Sequence, residues 1–191
     1  AFVARLAESA KAWITGPAQD PAASIGPLID RESVDRVNRY AEIGARDGKV
    51  VFRGALGPAT ARGTFVAPVI VADVPPSSPL AEEEVFGPVL AVMRASSLDE
   101  ALALANGTAY ALTGGLYSRS PAHIERARRD FDVGNLYINR KITGALVARQ
   151  PFGGHRHSGT GMKAGGRDYL LQFVVARTIT ENTLRRGFAP D

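Results

Sequence analysis

An α/β fold is predicted by three features of this 191-residue chain. Between Val89 and Asn139, short apolar runs that read as strands alternate with segments of helical period. Both helices in that stretch open on a Ser at the N-cap position. Hydrophobic residues make up 45% of the chain and charged residues 22%, which is enough apolar material for a buried core.

The first element is "AFVARLAESAKAWITG", helical from residue 1, with Val3, Leu6, Ala10 and Trp13 on one face. A helix that starts at once, without an initiator Met, reads as the interior of a longer polypeptide. Asp30 is the N-cap of a second helix, with Val34, Val37, Ala41 and Ala45 directed inward and Gly48 as its stop. "KVVFRG" (49–54) and "FVAPVIV" (65–71) are strands, the second weakened by Pro68. The Pro-rich, acidic stretch "DVPPSSPLAEEEVFGP" follows.

"VLAVMRA" is the next strand. Ser97 and Glu100 make a capping box for "SLDEALALANG", which ends at Gly107. "GGLYS" is a strand, and Ser120 with Pro121 opens "SPAHIERARRDF", whose Ile124, Ala127 and Phe131 share a face. "NLYIN" (135–139) completes the run. Strand, helix, strand, helix, strand at this spacing predicts two right-handed crossovers and a parallel sheet.

Residues 1–173 are expected to form one domain. Beyond it, residues 174–191 differ: Val175, Arg177, Ile179 and Glu181 alternate with Ala176, Thr178, Thr180 and Asn182. Such a strand either pairs with a neighbouring domain or subunit, or is an ordinary edge strand.

Composition narrows the chemistry. There are no Cys residues, so the chain has no disulfide, thiolate metal site or Cys nucleophile of its own. Net charge is +4, but the basic residues are dispersed, which argues against a nucleic-acid surface. No apolar run approaches a membrane span and no signal-peptide layout opens the chain, so a soluble, cytoplasmic protein is expected.

One stretch resists assignment. "NRKITGALVARQPFGGHRHSGTGMKAGG" runs from Asn139 to Gly166 and lacks strand or helix periodicity. Connections beyond roughly 12–15 residues are usually functional or disordered. This one leaves the C-terminal end of a parallel strand, where open α/β sheets bind ligands. Gly144 and Ala145 have almost no side chain, so their amides form either an anion-binding nest or a plain turn. Phe152 is either a core anchor or an aromatic on a Gly-rich bend. His155 and His157 have no carboxylate or thiol at ligand spacing, and Ser158 lacks the strand–elbow–helix setting of a hydrolase nucleophile. Upstream, Glu82, Glu83 and Glu84 are either a solvated face or, beside Phe86, a carboxylate and ring suited to a sugar and a flat heterocycle.

Taken together, these stretches resemble the aldehyde dehydrogenase superfamily. "EEVFGPV" is similar to its Glu-x-Phe-Gly-Pro signature, and "IGPLID" and "YALTGGLYS" fit the same pattern. "GNLYINRKITGALVARQPFGGHRHSGTGMKAGG" is similar to its Δ1-pyrroline-5-carboxylate dehydrogenase branch, although "HRH" at 155–157 departs from that branch.

The resemblance implies an α/β, parallel-sheet catalytic domain of the aldehyde dehydrogenase type, ending in an oligomerisation strand. It implies oxidation of L-glutamate γ-semialdehyde to L-glutamate in proline catabolism, through a thiohemiacetal on a Cys, with hydride passed to NAD and a Glu aiding hydrolysis. Glu84 matches the carboxylate that holds the nicotinamide ribose, Phe86 the ring beside it, and Leu112 a residue on the nicotinamide side. Gly144 and Ala145 match the loop that binds the substrate carboxylate, and Phe152 an aromatic that flanks its aliphatic part. The Cys, the general-base Glu, the oxyanion Asn and the Rossmann domain have no match here, so none of these residues is catalytic and the piece alone is expected to be inactive. A homo-oligomer formed through residues 174–191 is expected. Another semialdehyde dehydrogenase, or a non-catalytic assembly module with this fold, are the alternatives.

Overall fold

Val69–Ala72 form a strand (β2) that is buried at every position in the computed structural model, which describes residues 1–183. It begins directly after Pro68, so the residue that lacks an N–H stands just outside the ladder. β2 lies between β1 (Lys49–Arg53), its antiparallel neighbour, and β3 (Val89–Val92), its parallel one. Val69 and Val71 pack with Val34, Val37 and Ala41 of helix α2 (Arg31–Asp47). Ile70, of opposite strand parity, is completely buried as well.

α2 starts where its cap predicts. The Asp30 carboxylate accepts the Ser33 N–H at 2.7 Å, and hydrogen bonding from Ser33 holds that carboxyl below its usual range. Its inward face needs one correction: Ala45 is exposed, and Gly44 is the buried residue. Buried positions 34, 37, 41 and 44 stay on a stripe of period 3.6, whereas position 45 drifts off it. Gly44 also faces Val71 and Leu80 so closely that an added methyl would press on both. Leu80 comes from the short helix α3 (Pro79–Glu82), whose N-cap Ser78 donates to Asp47 Oδ2 at 2.8 Å.

Helix α1 (Phe2–Ala10) is shorter than its sequence face implies. Lys11 N–H bonds back to Glu8, closing the last turn, and Trp13 leaves the helix to meet Phe52 edge-on at 6.1 Å. Helices α4 (Leu98–Asn106) and α5 (Pro121–Asp130) open on Ser97 and Ser120 as predicted. The capping box of α4 is offset by one residue: Ser97 accepts the Glu100 N–H, but the Glu100 carboxylate takes the N–H of Ser96. Arg126 reaches Asp99 at 2.9 Å, and Asn106 donates to Asp130 O at 2.7 Å, which ties α5 to α4. All these elements belong to one unit, residues 1–109 with 119–132.

The second unit comprises residues 110–118 and those from 133 onward. Here β4 (Tyr110–Ala111) pairs antiparallel with β7 (His155–Arg156), and β5 (Thr113–Leu116) pairs parallel with β6 (Asn135–Ile138). A single sheet with two crossovers was therefore half right. β5, α5 and β6 form one crossover, while β3 pairs with β2 instead. Caps and periodicity report each element; which strands pair depends on burial across the chain, which they do not encode. Asn139, at φ 53°, closes β6 by exchanging two amide hydrogen bonds with the Ser118 backbone.

After a 3₁₀ turn at Tyr169–Phe173, Val174 is extended, and residues 174–183 pair with no strand among the described residues. Val175 is 95% exposed. The remainder of the expected tail strand, residues 184–191, lies outside the described residues. No helix among the described residues is long and apolar enough to cross a membrane.

Truncating Ile70, the residue at the centre of the first sheet, should leave a cavity. Ile70→Ala is expected to cost about 2–5 kcal/mol in urea denaturation. A loss below about 1 kcal/mol contradicts its placement between two packed faces.

Candidate functional site

The predicted binding residues fall into two sets, one in each unit. In the first unit α2 acts as a platform for residues 83–87. The Tyr40 hydroxyl donates to Glu83, Arg36 Nε donates to the Val85 carbonyl at 3.2 Å, and the Val85 side chain is buried in the α2 core. Gly87 lies against Val37 so tightly that any β-carbon would collide with it. With 83, 85 and 87 fixed inward, Glu84 and Phe86 face out. The Glu84 carboxylate has no hydrogen-bond or ion-pair partner among the described residues. Phe86 is 74% exposed and adopts φ 55°, a left-handed conformation unfavourable for a bulky L-residue. With Gly87 it joins Pro27, Leu28 and Ile29 of the "IGPLID" stretch and Ser33 of α2 around a cavity of about 480 Å³.

In the second unit Leu112 sits between β4 and β5, with its side chain partly exposed and its carbonyl accepting the Asn135 N–H at 3.0 Å. The long loop is not structureless. Leu146 and Gln150 bridge one another, Phe152 bridges Ala164, and β7 lies within it. These pairings are too short to leave a periodic signal in sequence. Residues 141–149 are exposed throughout, whereas Phe152 is half-buried. Gly144 takes φ 97°, and neither its N–H nor that of Ala145 donates a hydrogen bond among the described residues. They end a run of exposed amides, Arg140 to Ala145, that donate no hydrogen bond among the described residues, and they are the two with the least side chain to obstruct an anion.

Residues not singled out in the sequence hold the exit of this loop. Asn135 donates to Pro151 O at 3.0 Å and accepts the Gly153 N–H at 3.1 Å. The Lys163 ammonium donates to Gly134 O at 2.8 Å and to Gly153 O, and burial lowers its pKa from the usual lysine range. Gly134, Gly153 and Gly154 approach neighbouring main chain so closely that side chains would not fit. The Gly-rich composition was the one available signal. Ser158 accepts the Ala111 N–H at 3.1 Å, a structural role. Among the described residues no group of three His, Cys, Asp or Glu could hold a metal ion.

The chain is thus a mixed α/β protein in which connections, not the regular elements, present exposed carboxylate, ring and amide groups. The aldehyde dehydrogenase family model matches residues 1–179, and the chain belongs to the aldehyde dehydrogenase family. It is 47% identical over 171 residues to 1-pyrroline-5-carboxylate dehydrogenase of Bacillus subtilis (strain 168), covering 90% of this chain and 33% of that protein. The chain therefore spans about a third of the length of the curated relatives it matches. Among solved structures it is similar to proline utilization A (PutA) from Bdellovibrio bacteriovorus inactivated by N-propargylglycine, with TM-score 0.89 and 50% identity, over 100% of this chain and 20% of that one. It is also similar to 1-pyrroline-5-carboxylate dehydrogenase from Thermus with bound NAD, with TM-score 0.81 and 47% identity, over 88% of this chain and 32% of that one.

The left-handed backbone at position 86 yields a stability test. Phe86→Gly should be more stable than Phe86→Ala by about 1 kcal/mol, because only glycine adopts that conformation without strain. Equal denaturation midpoints contradict the assigned backbone.

Proposed function

We propose that this chain is part of an NAD-dependent dehydrogenase that oxidises L-glutamate γ-semialdehyde to L-glutamate in proline catabolism. The observation that carries the substrate assignment is the pair of open amides at Gly144 and Ala145, the two residues of an exposed turn with the smallest side chains. The two N–H groups would grip the substrate α-carboxylate, and Phe152 would pack on its aliphatic part. A neutral aldehyde offers these donors no charge-assisted partner in place of water, and that difference favours the semialdehyde. The similarity to proteins named 1-pyrroline-5-carboxylate dehydrogenase supports the same substrate.

NAD, once bound, accepts the hydride removed from the aldehyde carbon. The residues present fit it: in the first unit the unpartnered Glu84 carboxylate suits ribose hydroxyls and exposed Phe86 suits a flat ring, while the family resemblance assigns Leu112 to the nicotinamide side. The Thermus relative, with bound NAD, supports that choice of cofactor. The 191 residues contain no Cys, so the family's thiol nucleophile has to come from outside them. The exposed apolar run Phe173, Val174, Val175 and Ile179 supports pairing of residues 174–191 with a second subunit. A cytoplasmic location accords with this metabolic role.

Crowding the anchor tests the reading. In the enzyme that carries this chain, Ala145→Leu should raise KM for glutamate semialdehyde about tenfold, roughly one lost charge-assisted hydrogen bond. KM for propanal should change by less than about twofold, because it has no carboxylate to lose. Equal changes for both aldehydes count against a carboxylate anchor at this turn.

A further inference from the structure

The geometry points to Arg140 and Gln150 as positioning residues that aim the Gly144 and Ala145 amides at a carboxylate. The inference rests on the anchor reading above and adds how that anchor keeps its shape. A trans peptide unit carries its C=O and N–H on opposite sides of one plane, so holding the carbonyl orients the amide. No peptide bond among the described residues is cis. The Gly144 N–H shares its plane with the Thr143 carbonyl, and the Ala145 N–H with the Gly144 carbonyl.

Both carbonyls are held by one linked pair of side chains. Arg140 donates to Thr143 O at 3.3 Å. With its amide oriented to satisfy both neighbours, Gln150 donates to Gly144 O at 2.6 Å and accepts from the Arg140 guanidinium at 2.7 Å. Arg140 is itself steadied over the Tyr137 ring, at 5.2 Å, and Tyr137 is a buried residue of β6. Gln150 is pinned through its backbone, which exchanges hydrogen bonds with Leu146 at 3.0 and 2.8 Å. One guanidinium fork and one side-chain amide thus occupy both carbonyls and leave both N–H groups facing away from them. Lysine cannot replace this Arg, because a single ammonium lacks the planar fork that reaches Thr143 and Gln150 together. The exposed loop otherwise has little packing to hold a turn at φ 97°.

The test compares Arg140→Lys, Gln150→Ala and the double variant in the full-length enzyme that carries this chain, with glutamate semialdehyde and propanal as substrates. Each single variant should lower the kcat/KM ratio of semialdehyde to propanal about tenfold through KM, with kcat little changed. The double variant should fall no further than either single one, since the two side chains act as a unit. Arg140→Lys keeps the positive charge, so loss of selectivity there excludes simple charge attraction. Single-variant losses that multiply in the double variant overturn the proposal, as do losses shared equally by both aldehydes, which mark a general folding defect. If the unmodified enzyme prefers semialdehyde and the variants keep that preference, the clamp alone falls. If the unmodified enzyme shows no such preference, the anchor reading falls with it.

Discussion

Buried backbone amides are nearly always paired, so main-chain donors stay open only on an exposed segment such as the turn at Gly144 and Ala145, where the amides from Arg140 to Ala145 donate no hydrogen bond among the described residues. Water satisfies them at an exposed site, so the turn is tolerated; a ligand carboxylate would replace that water with charge-assisted bonds. The loop that carries the turn is held at both of its ends. β6 delivers the chain to Asn139, whose side chain closes the strand end on Ser118. Asn135 and Lys163 hold the far side, where the loop returns at Pro151 and Gly153. Glycines at 134, 153 and 154 let three backbone segments approach more closely than side chains allow. Main-chain recognition demands this: a donor that cannot be adjusted by rotating a side chain has to be aimed by the fold.

Residues 83–87, the proposed cofactor contacts, are positioned instead by helix packing. Alternate residues of 83–87 are fixed on α2, by a hydroxyl, a guanidinium, a buried valine and a glycine contact. With their neighbours held on α2, Glu84 and the left-handed Phe86 are left facing outward. The left-handed Phe86 is local strain of the kind that stable surroundings sustain at binding positions. In both units, recognition sits in irregular connections set on regular elements.

Much of this was legible in the sequence, for identifiable reasons. Asp30, Ser97 and Ser120 mark helix starts because capping is a local interaction between residues about three apart. The glycines and the acidic–aromatic pair were visible as composition, and the structure shows Glu84, Phe86, Gly144 and Ala145 exposed. Strand pairing was less accessible, as β3 joining β2 shows, because it depends on contacts distant in sequence. Two-residue strands such as β4 and β7 fall below any periodic signal. Trp13 was misplaced because helical spacing continues past the residue where the helix actually unwinds. Asn135, Lys163, Arg140 and Gln150 carry no motif; their roles appear only when side chains are seen against distant carbonyls.

The crystal structure of the enzyme that carries this chain, with L-glutamate bound, is the most direct measurement. The α-carboxylate oxygens should lie about 2.7–3.2 Å from Gly144 N and Ala145 N, with the γ-carboxylate directed away from the loop. A glutamate whose α-carboxylate is held by side chains elsewhere, with this turn facing away from it, contradicts the central claim.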